Sequence, residues 1–185
     1  MIPANLITEC LAGKRQSQNK LYNQLAPRMF MVCLRYCKTT AAAEDVLQEG
    51  FVRVFTCLHQ YKQGGSFEGW VRKIMVNCAL QHYRKRTRFL PASELQLPCL
   101  LSVPDTSNTY NRLDAVYLMQ LIRKLPPVYQ MVFNLFTFEE MTHREIAKAL
   151  NISEGTSKSN LHDARKILQN ALLQYTDHTC SRKAG

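Results

Sequence analysis

The sequence predicts an all-α protein with two small helical domains joined by a flexible linker, the second containing a helix-turn-helix. Apolar residues recur at helical spacing along most of the 185 residues, and no stretch alternates as a half-buried strand would. A segment rich in Pro, Ser and Thr interrupts this pattern, and a capped pair of short helices lies beyond it. We therefore expect domains over 1–88 and 112–178, a linker over 89–111 and a tail over 179–185.

The composition indicates a polyanionic partner. Lys and Arg number 24 against 14 Asp and Glu, which gives a formal net charge of +10 at pH 7. A basic protein of this kind is typical of nucleic-acid binding. No apolar run approaches the roughly 20 residues that cross a bilayer, and no basic leader precedes a long apolar stretch at the start. We expect a cytoplasmic protein without membrane insertion.

The seven cysteines are scattered, and no CxxC pair occurs. Cys33 and Cys37 lie four residues apart and could share a helix face, but no His or second Cys pair lies nearby at zinc-ligand spacing. An odd number of cysteines in a cytosolic protein favours free thiols packed in cores. We expect no metal site and no cofactor.

In the first domain, the segment after Thr40 predicts an amphipathic helix. Thr40 is expected to cap it, and Glu44 and Asp45 suit the positive end of the helix dipole. An apolar stripe would pack in the core: Val46, Leu47, Gly50, Val54, Phe55 and Leu58. The other face carries Glu44, Asp45, Gln48, Glu49, Val52 and Arg53. The residues alone favour a solvated surface, with docking of a basic protein partner as the alternative.

After the turn-rich segment 61–66, the next predicted helix combines basic and aromatic residues. Its core candidates are Val71, Ile74, Met75 and Cys78. Basic groups follow a phosphate backbone, and aromatic faces stack on unpaired bases with about 1–3 kcal/mol each. The combination therefore indicates single-stranded DNA rather than duplex. Phe67 and Trp70 have an alternative role as ordinary core residues that anchor the helix.

The second domain opens with two predicted helices separated by Pro126 and Pro127. Their candidate apolar residues are Leu113, Val116, Tyr117, Leu121, Leu125, Val132, Phe133 and Phe136. The break between them is expected because proline has no backbone N–H and restricts the residue before it.

The strongest local signal in the second domain begins at Thr142. Thr142 and Glu145 fit a capping box, Asn151 tolerates the positive φ of a tight turn, and Ser153 can cap a following helix. That helix has core candidates at helical spacing: Leu161, Ala164, Leu168 and Ala171. Two short helices around such a turn predict a helix-turn-helix, whose second helix enters the major groove.

Two stretches resemble the sigma-70 family, and within it the small extracytoplasmic-function (ECF) group. AEDVLQEGFVRVF followed by FEGWVRKIMVNCALQHYRKRTR is similar to domain 2 of that family, and LPPVYQMVFNLFTFEEMTHREIAKALNISEGTSKSNLHDARKIL to domain 4. Together they cover most of residues 15–175 in the family's order. The resemblance implies a sigma factor, not an enzyme, that binds core RNA polymerase, directs it to promoters and opens DNA for transcription initiation.

The resemblance also implies which residues act. Core polymerase would bind Asp45, Gln48 and Glu49. The minus-ten element would be opened, and its non-template single strand held, by Lys62, Phe67, Trp70, Arg72, Lys73, Asn77, Tyr83, Arg84 and Arg86. The minus-thirty-five element would be read as duplex by Thr156, Lys158, Ser159, His162 and Arg165. The group's members are often held inactive by an anti-sigma factor, so such a partner is a further expectation.

Four residues depart from the family pattern. Ser157 stands where an apolar residue is usual, and Asn160 where Arg is common. Asp163 would repel phosphate unless it accepts from a cytosine amine. Glu140 replaces a common Gly before Met141.

Two other functions stay open on the residues alone. One is a helix-turn-helix transcriptional regulator that acts without binding core polymerase. The other is an enzyme acting on nucleic acid, with a metal held by Cys and His as one form of it.

Overall fold

The computed structural model describes residues 2–62, 64–87 and 110–181, and within these ranges the regular structure is helical throughout. This confirms the predicted fold class. The chain divides into two compact units, Met1–Arg86 and Thr87–Gly185. Residues 88–109, which hold most of the predicted linker, lie outside the described residues, so the exact linker boundaries stay a prediction.

Over residues 2–62 and 64–86, the first unit contains four helices and one short 3-10 turn. The helices are α1 (Ala4–Leu11), α2 (Arg15–Tyr36), α3 (Thr40–Thr56) and α4 (Phe67–Thr87), and the turn Leu58–Gln60 follows α3. Each helix contributes buried apolar residues to the core of this unit, including Ile7, Leu21, Leu25, Met29, Val46, Val54, Leu58, Val71 and Met75.

The cap of α3 lies one residue earlier than predicted. Thr39, and not Thr40, precedes the helix in extended backbone, and its Oγ1 accepts a hydrogen bond from Ala42 N at 3.2 Å. Adjacent threonines are equally suited to capping, so local sequence cannot choose between them. Glu44 and Asp45 consequently lie beyond the first turn, where the helix dipole contributes little.

The predicted apolar stripe of α3 is buried except at one position. Phe55 is only half-buried. Phe51, which the stripe omitted, is buried and packs against Tyr22 of α2 with ring centroids 4.6 Å apart. On α4, Val71, Met75 and Cys78 are buried as predicted, while Ile74 is half-buried.

The core also depends on a close approach between α3 and α4 at Gly50. A Cβ atom at this position would lie 2.2 Å from Sδ and 2.9 Å from Cε of Met75. Met75 is fully buried, so its side chain has no solvent to move into. Gly50 is therefore needed for the fit between these helices, a role that its place in an apolar stripe did not reveal.

We expect Gly50→Ala to lower the free energy of unfolding of the first unit by about 1–3 kcal/mol, because the buried Met75 must shift. Trp70 is the only tryptophan and lies in this unit, so its fluorescence during urea denaturation reports the change. Gly69→Ala in α4 is the matched control, since its Cβ would meet only the side chain of Ser66, at 3.6 Å from Cβ and 3.9 Å from Oγ. Unchanged stability of Gly50→Ala would contradict the tight fit.

The second unit contains α5 (Tyr110–Lys124), α6 (Pro127–Phe138), α7 (His143–Leu150) and α8 (Glu154–Ser181). Helix α5 begins within the range assigned to the linker, and α8 continues into the range assigned to the tail. Val132 is fully buried, whereas Phe133 and Phe136 are half-buried. The side chains of Leu113 and Val116 lie outside the described residues. One buried cluster joins α5 to α8: Tyr117, Leu121, Ile122, Leu125, Ala164, Leu168 and Ala171.

The turn signals of the helix-turn-helix are confirmed. Thr142 N donates to Glu145 Oε2 at 2.8 Å, and Glu145 N donates to Thr142 Oγ1 at 3.3 Å. Asn151 ends α7 with φ 55° and ψ 49°, the left-handed conformation expected for it. Ser153 Oγ accepts from Thr156 N at 2.9 Å and so caps α8. The four predicted core residues of α8 are all buried.

Glu140 also has a positive φ, of 55°, in the connection between α6 and α7. We expect Glu140→Gly to raise the free energy of unfolding by about 1 kcal/mol, because a non-glycine residue in this conformation is strained by about 1–2 kcal/mol. Urea denaturation followed by circular dichroism measures the change. Asn151→Gly is the control, since Asn tolerates the same φ and should gain less. Equal gains at both positions would contradict this account.

None of the described helices has an apolar stretch long enough to cross a bilayer.

Candidate nucleic-acid interface

The start of α8 presents a polar surface. The five residues predicted to read duplex DNA, Thr156, Lys158, Ser159, His162 and Arg165, are all exposed. Lys158, His162 and Arg165 are spaced by four and three residues, so they share one side of the helix. Thr156 is partly engaged locally, because its hydroxyl lies 2.8 Å from that of the capping Ser153.

Two of these basic residues already have partners. Lys158 Nζ lies 2.9 Å from Glu154 Oε1, and the hydrogen bond and charge of Lys158 lower the pKa of Glu154. Both side chains are exposed, so the pair contributes little to stability and can exchange for a phosphate or a base. The Arg165 guanidinium lies 5.4 Å from the centre of the Phe136 ring, a cation–π contact that restrains its direction.

Ser157 is fully buried, but its hydroxyl is not left without a partner. Ser157 Oγ lies 3.0 Å from His143 Nδ1 at the start of α7. His143 in turn stacks on Phe136, with ring centroids 4.9 Å apart. A hydrogen bond between α7 and α8 therefore stands where the family usually packs an apolar side chain.

Asn160 and Asp163 are the other two residues of α8 that depart from the family pattern, and they are buried to different degrees. Asn160 is 5% exposed, so it is not placed to contact a phosphate as a surface Arg would be. Asp163 is half-buried and accepts a hydrogen bond from Tyr129 Oη at 3.4 Å. Burial and then Asp163 raise the pKa of Tyr129. Part of the Asp163 carboxylate is thus directed towards α6 and away from the exposed side.

On α4, the predicted single-strand residues fall on different sides of the helix. Trp70, Lys73, Asn77 and Arg84 recur at helical spacing and form one face, with Trp70 half-buried and the others exposed. We call these four residues the α4 face. Arg72, Tyr83 and Arg86 are also mutually in register, but lie on another side. Burial raises the pKa of the Tyr83 phenol to about 12.

Phe67 does not have a ring open to a base. It is only 6% exposed and packs against Tyr61 and Trp70, with ring centroids 5.0 Å and 5.7 Å away. The core alternative therefore describes Phe67 better than base stacking does. The ring of Phe67 packs against that of Trp70, which is half-buried. Tyr61, missing from the predicted site residues, completes this aromatic cluster.

The segment before α4 borders a cavity of about 390 Å³. Tyr61 Oη donates a hydrogen bond to Gly65 O at 2.5 Å, which joins the two ends of this segment. Lys62, predicted to contact the strand, is exposed in the same segment. The cavity is lined by Ile2, Ala4, Ile7, Tyr61, Gly65, Ser66, Phe67 and Glu68.

The acidic side of α3 is exposed at Asp45 and Gln48 and half-buried at Glu49. Gln48 Nε2 donates to Tyr22 Oη at 3.1 Å, and Arg53 pairs with Glu49 at 2.6 Å. Among the residues that the structure describes, none forms an ion pair with Asp45. Asp45 is thus the acid of this set that is most available to a basic partner.

The cysteines that raised the question of a metal site lie in the core. Cys33, Cys37 and Cys78 are buried, and burial raises the pKa of the Cys33 thiol to about 12. Within the described part of the chain, no group of three or more His, Cys, Asp or Glu could hold a metal ion.

Comparisons with known proteins agree with the two-unit arrangement. Residues 21–89 match the family profile described as Sigma-70 region 2, and residues 115–168 match Sigma-70, region 4. The chain is 32% identical over 130 residues to RNA polymerase sigma-E factor of Streptomyces avermitilis, covering 70% of each protein.

A second relative is the ECF RNA polymerase sigma factor SigE of Mycolicibacterium smegmatis. The identity is 31% over 167 residues, which is 88% of this chain and 64% of that protein, so this chain spans just under two thirds of its length. Among solved structures, sigma factor RpoE in complex with the anti-sigma factor NepR, from Bartonella quintana, is similar with a TM-score of 0.51 and 19% identity. That likeness covers 83% of this chain and 95% of that chain, and it supports the fold alone.

Proposed function

Because this chain belongs to the extracytoplasmic-function group of the sigma-70 family, we propose that it binds core RNA polymerase, directs it to specific promoters and opens DNA there. The observation that carries the proposal is an exposed acidic side on α3 beside a basic and aromatic side on α4, in a chain that also has a helix-turn-helix. Such a protein acts by binding and positioning, not by catalysis. It works in the cytoplasm, where bacterial polymerase transcribes.

Asp45 and Gln48 form the centre of the proposed polymerase-binding surface. Both are exposed, and none of the described residues forms an ion pair with Asp45. Glu49 stands at the edge of this surface, since its carboxylate already pairs with Arg53. We assign it a shared role in docking and in holding the unit together.

The α4 face is proposed to hold the non-template strand of the minus-ten element. Lys73 and Arg84 follow the phosphates, Trp70 stacks on a base, and Asn77 offers an amide to a base edge. The cavity beside Tyr61 is the proposed site for a flipped base, because a flipped base needs a pocket that stacks against it and reads its edge. Arg72, Tyr83 and Arg86, on another side of α4, are assigned to a further part of the strand.

Helix α8 is proposed to read the minus-thirty-five element in the major groove. Lys158 reaches guanine acceptors, Ser159 and His162 contact neighbouring base edges, and Arg165 binds phosphate while resting on Phe136. Thr156 contributes beside the cap. An anti-sigma partner stays a prediction from the family.

A helix-turn-helix regulator that acts without polymerase is less favoured, because it leaves the acidic side of α3 and the α4 face without a task. The two functions differ in what the free protein binds. We expect the purified chain to bind core polymerase in a fluorescence anisotropy titration, and to bind a duplex promoter fragment weakly on its own. Tight, specific binding of the free protein to duplex, with no affinity for core polymerase, would favour the regulator.

A further inference from the structure

A short chain of hydrogen bonds joins α3 to α4 through Arg53. Arg53 Nη2 lies 2.6 Å from Glu49 Oε1 on its own helix and 2.6 Å from Gln81 Oε1 on α4. One terminal guanidinium nitrogen carries two hydrogens, so it can donate to both acceptors at once. These bonds are charge-assisted on the donor side and therefore stronger than bonds between neutral groups.

The Arg53 contact lies near the close approach at Gly50. Gly50 and Arg53 are one turn apart on α3. Their partners on α4, Met75 and Gln81, are six residues apart, with Met75 first. Apolar packing at Met75 sets how near the two helices come, and the other buried residues of α4 limit its rotation about its own axis. The hydrogen bond at Gln81 adds a directional restraint near the C-terminal end of α4, beyond that packing.

The two acceptors of Arg53, Glu49 and Gln81, lie next to the surfaces proposed to bind polymerase and single-stranded DNA. Glu49 lies four residues after Asp45 on α3. Gln81 lies four residues after Asn77 and three before Arg84, at the margin of the α4 face. A side chain that holds Glu49 and Gln81 together therefore also holds the polymerase-binding surface and the strand-binding face in one arrangement.

We propose that Arg53 is a positioning residue, which fixes the α4 face relative to the polymerase-binding surface through Gln81. This inference rests on the proposed function. Docking on polymerase uses α3 alone and needs no such restraint. Strand opening needs Trp70 and Asn77 at a defined place in the docked complex. Loss of the hydrogen bond between Arg53 and Gln81 should therefore slow opening and spare docking.

The test uses the whole 185-residue chain with core polymerase, on a promoter located by mapping transcript 5′ ends after overexpression. Arg53→Met and Gln81→Leu should each slow open-complex formation about tenfold. Gln81→Leu leaves the pair of Arg53 and Glu49 in place, so it should change the dissociation constant for core polymerase by less than about threefold. The double variant should be no slower than either single variant, because both remove the same contact. Arg53→Lys retains a donor and should stay within about threefold of the unchanged chain.

Three further results decide the matter. A template already mismatched over the minus-ten element should restore most of the lost rate, whereas a loss of folding, followed by Trp70 fluorescence, would not be restored in this way. Multiplicative losses in the double variant would overturn the inference, since Arg53 and Gln81 would then act separately. A loss of polymerase binding in Gln81→Leu as large as its loss of opening rate would also overturn it. If the unchanged chain gives no specific transcription, the proposed function itself fails.

Discussion

Replacing Trp70 by Ala is expected to slow promoter opening by about tenfold or more, because stacking of one base on an aromatic ring contributes about 1–3 kcal/mol. Trp70 is half-buried on the α4 face and rests on the buried ring of Phe67. Affinity for core polymerase should stay within about twofold, since the ring lies on a different helix from the acidic surface. Permanganate reactivity of unpaired thymines, followed over time, measures opening.

Trp70→Phe is the matched control, because it keeps a ring on the same support and should retain much of the opening rate. Circular dichroism at each temperature used confirms that the variants are folded, since the tryptophan signal is lost with the side chain. Equal loss of opening and of polymerase binding in a folded Trp70→Ala protein would contradict the separate tasks of α3 and α4.

Reversing the charge of Asp45 with Asp45→Lys is expected to weaken binding to core polymerase by about tenfold or more, because a like charge would face a basic partner. Asp45 is exposed and has no ion-pair partner within the described residues, so the change should leave the stability of the unit nearly unaltered. A titration of the labelled chain with core polymerase at several salt concentrations measures the loss.

Glu140→Lys serves as the control for Asp45. Glu140 is an exposed acid of the second unit and not of α3, so its reversal changes the net charge by the same amount without altering the acidic side of α3. Equal losses from the two reversals would show a general charge effect and not a defined surface. Neutralisation of Glu49 is best done with Glu49→Gln, because the amide oxygen still accepts a hydrogen bond from Arg53.

The parts of the fold that could be predicted are those determined by neighbouring residues. The capping box of Thr142 and Glu145, the left-handed Asn151 and the cap at Ser153 all involve side chains within a few positions of the backbone that they stabilise. The cap of α3 was wrongly predicted at Thr40 and not Thr39, because two adjacent threonines offer the same hydroxyl and local sequence cannot distinguish them.

The sequence pattern could not predict contacts between distant segments. Arg53 and Gln81 are 28 residues apart, and nothing near either one indicates the other. The tight fit of Met75 on Gly50 depends on how closely two helices approach, which periodicity does not specify. The burial of Phe67 likewise depends on Tyr61 folding back over it.

Some features of the candidate site could likewise be predicted from the sequence, and others required the structure. Helical spacing alone places Trp70, Lys73 and Asn77 together and separates them from Arg72, so the α4 face was accessible from the sequence. The partners of Ser157 and Asp163, which are His143 and Tyr129, come from other helices and required the structure. The roles of all these residues on DNA and polymerase remain predictions.

In the proposed function, this chain gives core polymerase its promoter specificity. The decisive experiment is run-off transcription with core polymerase alone, with the chain alone and with both, on a promoter mapped after overexpression. We predict a transcript of defined length only when both are present, and its loss when the minus-ten or the minus-thirty-five element is replaced. No increase in specific transcripts over core polymerase alone, on a promoter that the mapping verified, would contradict the claim.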